Sequence, residues 1–74
     1  MTISELRAEL GLSLADFAAV LGLKGKASAH EIESSGKASV RVALEIERIS
    51  KGRIPAEIVN ADVALVRGRP DRAA

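Results

Sequence analysis

Apolar residues recur at helical spacing through most of this chain, and glycines at positions 11, 22, 36 and 52 break the pattern into segments. Thr2-Ile3-Ser4-Glu5 has the form of a capping box, with Thr2 as the cap and Glu5 reaching back to it. Ile3, Leu6 and Leu10 then share a face, so a helix is predicted over 3–10, ended by Gly11. Ser13 caps a second predicted helix over 14–21. Asp16 stands at its positive end, and Leu12 and Phe17 occupy the positions of a hydrophobic staple. Leu14, Phe17, Ala18 and Leu21 form one apolar face, and Gly22 suits the left-handed residue that closes such a helix.

The next stretch, GLKGKASAHEIESSGK, is different. Lys24-Gly25-Lys26 reads as turn and helix entry, and a third helix is predicted over 27–34, with only Ala29 and Ile32 on an apolar edge. Lys26, Ala27, Ser28, His30 and Glu31 are therefore expected to face outward. Ser39 caps a fourth predicted helix over 40–50, which stops near Gly52. Val42, Ile46 and Ile49 make one stripe on it. Val40, Ala43 and Leu44 lie on roughly the opposite side, and Arg41, Glu45 and Arg48 mark the wet side. A helix apolar on two sides is either central in its fold or lies between its own core and a partner. Pro55 suits the first position of a short fifth helix carrying Ile58 and Val59. Ala61-Asp62-Val63-Ala64-Leu65-Val66 is short and rich in β-branched residues, so it is read as a strand or extended arm. Such a segment either pairs with a second subunit or folds back over the fourth helix. RGRPDRAA, 67–74, is read as a flexible tail.

Composition narrows the functional classes. The 74 residues suit one domain, and a core this small favours self-association. With no cysteine, disulfides and thiolate chemistry are excluded, in keeping with a reducing compartment. The first ten residues are amphipathic and charged, unlike a signal peptide, and no apolar run approaches the roughly 20 residues of a transmembrane helix. A cytoplasmic, nucleoid-associated protein with no membrane partner is expected. Net charge is only +1, but residues 24–53 carry seven bases against four acids, and residues 1–23 carry one base against three acids. The positive excess thus lies in the middle of the chain, where it favours contact with a polyanion. Phe17 is the only aromatic residue, which disfavours single-strand binding by base stacking and leaves a duplex as the expected polyanion. His30 is the only histidine, so no metal site is expected. Glu45 and Glu47, two apart, point different ways and make no acid/base pair. No nucleophile–base constellation exists. The chain is expected to be no enzyme, with no catalytic residues, cofactor or small-molecule ligand.

LSLADFAAVLGL (12–23) followed by IESSGK (32–37) resembles the Cro/repressor-like (XRE) helix-turn-helix family. Leu12, Ser13, Phe17, Ala18, Leu21, Gly22 and Leu23 match the first half of its pattern, and Ile32, Glu33, Gly36 and Lys37 match the second. ALEIERISKGRIPAEIV (43–59) is similar to the tail of small Cro-like and YdaS-like regulators. The likeness spans roughly residues 3–66. The sequence departs from the pattern in a turn one residue longer, in a second serine at Ser34-Ser35, and in Leu14, where many relatives carry a phosphate-touching glutamine.

The resemblance implies an all-α fold: a compact bundle of four to five short helices with a helix-turn-helix over 1–66. Residues 54–66 are the part available for dimerisation. It further implies sequence-specific binding to double-stranded DNA by a homodimeric, repressor-like prokaryotic or phage transcription regulator on a palindromic operator. Lys26, Ala27 and Glu31 fall where such proteins read bases in the major groove, flanked by Ser28 and His30. The plainer reading of these five is a solvated helix face. Ser13, Lys24, Lys37 and Arg41 are candidate DNA-backbone contacts, although Ser13 is accounted for as a cap and the cations as solvated charges. Glu33 is implied to brace the helix pair, with Arg7 as its candidate partner. Val40, Leu44, Val63, Leu65 and Val66 are candidates for the dimer interface. The alternative is a protein-interaction module, such as an antitoxin or phage adaptor, that uses the same fold for a protein partner with little base reading.

Overall fold

In the computed structural model, residues 1–66 are described, and they form a small all-α bundle. Five helices run α1 (Ile3–Leu10), α2 (Leu14–Leu21), α3 (Lys26–Ser35), α4 (Val40–Ile49) and α5 (Ala56–Val59), and residues 62–66 are also helical. The 67–74 segment, expected to be a tail, lies outside the described residues. None of the described helices is long and apolar enough to cross a membrane.

Local chemistry sets the helix boundaries. The Thr2 hydroxyl accepts from the Glu5 amide at 3.0 Å, and the Glu5 carboxylate accepts from the Thr2 amide at 2.7 Å, completing the capping box. Ser13 and Ser39 cap α2 and α4 in the same way through the Asp16 and Val42 amides. At the far end of α2 the Leu23 amide reaches back to the Ala18 carbonyl and the Gly22 amide to Ala19, a Schellman closure that turns Leu23 onto the core. The end of α1 repeats it, with Leu12 bonded to Arg7 and Gly11 to Ala8.

The α4 terminus uses the same closure, from Gly52 to Glu47 and from Lys51 to Arg48, but places a lysine at the left-handed position, with φ 57°. A Cβ in that conformation costs roughly 1–2 kcal/mol. Lys51→Gly is expected to raise stability by about 0.5–1 kcal/mol, read as a shift of the urea midpoint with an unchanged slope.

The apolar edges meet in one core. Leu6 of α1, Phe17 and Leu21 of α2, Ala29 of α3 and Ile46 of α4 are all buried. In the bundle α3 packs on α2 and α1, and α4 on α2 and α5. The structure departs from two expectations. Ala43, placed on the far side of α4 by the sequence, is fully buried with Val42 and Ile46. At 100° per residue it lies some 60° from Ile46, so the core face is wide rather than doubled. Residues 61–66 form no strand or extended arm: Asn60 accepts from the Asp62 amide at 2.9 Å and 62–66 coil into a helical turn. The Asn60 amide group also donates to the Ala38 carbonyl at 2.9 Å, seating this turn near the start of α4. A short apolar run cannot be told from a buried helical turn by periodicity.

The connection from α4 to α5 rests on groups that periodicity does not reveal. Ser50 is buried: its hydroxyl donates to the Glu47 carbonyl at 3.1 Å and accepts from the Ile54 amide at 3.0 Å. Pro55 stands at the cap position of α5 rather than as its first residue and offers no side-chain cap; the Glu47 carboxylate accepts from the Ala56 amide at 2.7 Å instead. Arg53 pairs with Glu9 and ties this connection to the end of α1. The guanidinium of Arg53, hydrogen-bonded to Glu9, holds that carboxyl below its ordinary value.

Candidate nucleic-acid interface

The four residues 22–25 join α2 to α3, and the two helices pack on each other, as the connection of a helix-turn-helix requires. The turn depends on Gly22, whose φ of 72° closes α2 in the left-handed region. The chain then enters α3 at Gly25, so this helix begins without the side-chain cap that α1, α2 and α4 possess. Lys26 is its first residue, one position earlier than the spacing predicts.

At 100° per residue, positions 26, 30, 27 and 31 fill one arc of α3, and Ala29 and Ile32 fill the opposite edge. The structure buries Ala29 and Ile32 and exposes Lys26, Ala27, His30 and Glu31. Ser28 flanks the buried edge and is half-buried, so of the five candidates it is the least available. The Lys26, His30 and Glu31 side chains make no hydrogen bond or ion pair with the described residues.

The second-half motif braces α3 from behind. The Glu33 carboxylate accepts from Arg7 Nε at 2.6 Å and from the Ser4 hydroxyl at 2.7 Å, and Arg7 also donates to the Leu12 carbonyl at 3.1 Å. The Glu33 side chain is 9% exposed and that of Arg7 27%, so this ion pair is partly shielded from water and holds α1 against α3. The Glu33–Arg7 partnership is as the resemblance implied; the Ser4 contact is additional.

The candidate backbone contacts separate into groups. Lys24 is exposed in the turn, and Lys26 follows it. Arg41 reaches from the first turn of α4 to the end of α2, where its Nη1 donates to the Leu21 carbonyl at 3.1 Å. Lys24 and Lys26 thus flank the entry to α3, and Arg41 lies at the end of the helix before it. Lys37 is not among them. It lies beyond the far end of α3, about 15 Å away along the helix, and its Nζ donates to the Ile58 carbonyl at 3.3 Å. Ser13 is exposed at the start of α2, with its hydroxyl occupied by the Asp16 amide. Leu14 is half-buried against the core, so this position serves packing.

The dimer candidates divide as well. Val63 is 0% exposed and belongs to the monomer's own core, which removes it from any interface between copies. Val40 is half-buried against that core. Leu44 is partly exposed, and Leu65 and Val66 are 61% and 53% exposed. Ile58, 63% exposed, joins them as a large apolar surface residue. It edges a groove of about 280 Å³ between the start of α1, the end of α3 and α5. Periodicity does not place Ile58, because one turn of helix has too few residues to define a face.

Among the described residues no group of histidine, aspartate and glutamate has the arrangement of a metal site. Compared with protein-family models, curated proteins and solved structures, the chain matches none of them.

Proposed function

We propose that this protein is a small sequence-specific regulator of the Cro/repressor-like class. It binds double-stranded DNA as a homodimer and inserts α3 into the major groove. The observation that carries this reading is the outward arc of α3. Lys26, Ala27, His30 and Glu31 are held in place by the buried Ala29/Ile32 edge and the Arg7–Glu33 brace, yet have no structural task of their own. A helix so presented fits the major groove of B-DNA, and its N-terminal residues reach base edges. Lys26 donates to guanine O6 or N7, Glu31 accepts from cytosine N4, and Ala27 meets a thymine methyl. Lys24 and Arg41 neutralise phosphates beside the helix entry. Two copies read half-sites about one helical turn apart through an interface built on Leu44, Leu65 and Val66. Occupying a promoter in this way is sufficient for repression.

The protein-interaction reading draws on Leu14, packed where a phosphate contact is expected, and on Glu31, an acid on the outward arc. Selection from a random duplex pool at near-physiological salt separates the two. An enriched inverted repeat with turn-spaced half-sites supports the dimeric reader. A single unrepeated site retains the reader and removes the symmetric dimer. Absence of enrichment by folded protein selects the interaction module. For the enriched site, Lys26→Ala is expected to weaken binding about 10- to 100-fold, with a smaller loss on scrambled duplex.

A further inference from the structure

Arg41 stands apart from the other candidate phosphate contacts because it is already bonded within the fold. Its side chain leaves α4 and ends at the last carbonyl of α2, with Nη1 3.1 Å from Leu21 O. The last carbonyls of a helix have no intrahelical partner. In α2 the Gly22 and Leu23 amides satisfy Ala19 and Ala18, and Arg41 satisfies Leu21. The last turn of α2 holds no basic residue, so the cation that complements the negative end of its dipole comes from another helix. Gly22 leaves the space: a Cβ there would stand 3.2 Å from Arg41 Nη1. The nearby charge on the α4 surface is Glu45, one turn on, which is hydrogen-bonded to Arg48.

We propose that Arg41 is a positioning residue for the reading helix. One arm of the guanidinium locks the end of α2 to α4, which sets where the 22–25 turn delivers Lys26, while the remaining donors face the phosphate backbone. Anchoring and backbone contact then reside in one side chain, and a planar fork with several donors is suited to serve both. The role as a positioner stands on the geometry. Its consequence for base discrimination rests on the DNA-binding reading above.

The test compares Arg41→Ala, Arg41→Lys and Lys24→Ala in the full chain. Two quantities are read: hydrogen exchange of the Gly22, Leu23, Ser28 and Ala29 amides in the free protein, and binding to the selected duplex against a scrambled one over a salt series. Arg41→Ala is expected to speed exchange at those amides about 10-fold while Leu6 and Ile46 keep their protection. It also lowers the ratio of selected to scrambled affinity about 10-fold. Arg41→Lys recovers the salt slope without recovering the ratio. Lys24→Ala weakens both duplexes alike and flattens the slope by about one unit. The proposal is overturned if Arg41→Ala leaves the four amides unchanged, or speeds exchange throughout the chain. It is likewise overturned for discrimination if Arg41→Ala and Lys24→Ala behave alike on the two duplexes. If the unsubstituted protein binds no duplex, the DNA-binding reading fails, and the exchange result still decides whether Arg41 holds the turn.

Discussion

Phe17→Ala is expected to lower the stability of the fold by about 3–5 kcal/mol. Phe17 is fully buried where α2 enters the core, and it is the chain's single aromatic side chain. Removing a buried phenyl ring costs about 3–5 kcal/mol, part lost transfer free energy and part the cavity left behind. At roughly 0.05–0.15 kcal/mol per residue, a domain of this length has about 4–11 kcal/mol in total. No disulfide or metal site supplements it among the described residues. The measurement is urea denaturation followed by circular dichroism. Phe17→Leu, which keeps most of the volume, should lose no more than half as much. A loss below about 1 kcal/mol for the alanine variant would contradict the burial of Phe17.

The second large effect concerns residues 62–66. Val63→Asp is expected to unfold the protein or cost at least about 4 kcal/mol, because a carboxylate at a fully buried position has no partner. Leu65→Asp, two residues on and exposed, should change monomer stability by no more than about 0.5 kcal/mol. The pair distinguishes a packed helical turn from an extended arm. In an extended arm lying on a partner subunit, adjacent odd positions share a face, so the two substitutions would behave alike. In a helical turn packed on its own domain they differ strongly. Leu65→Asp also addresses association: sedimentation velocity should show the dimer dissociating while the fold persists. A dimer unaffected by Leu65→Asp would move the interface away from this turn.

The boundaries of α1, α2 and α4 could be written from the sequence, because each start and stop rests on chemistry local in the chain. Thr2, Ser13 and Ser39 satisfy amides three residues on, and Gly11 and Gly22 adopt a backbone conformation that other residues avoid. The exposed arc of α3 was legible for a related reason: with Ala29 and Ile32 alone on its apolar edge, the remaining side chains had nowhere else to go. Asn60 carries a further local signal, since asparagine is a preferred residue at the start of a helix.

Other features required the folded molecule, because they join residues far apart in the chain. Residues 61–66 have the composition of a strand, and only a core that needed Val63 decided for a helical turn. Lys24, Lys37 and Arg41 look equivalent as charges in a sequence. Packing made them different, placing Lys37 beside Ile58 at the far end of α3 and carrying Arg41 from α4 across to Leu21. The sequence by itself thus determined where α1, α2 and α4 begin and end and which face of α3 is bare. The tertiary structure alone decided which cations lie toward the entry to that helix and which apolar residues remain for a partner, because both depend on distances between helices that no local spacing encodes.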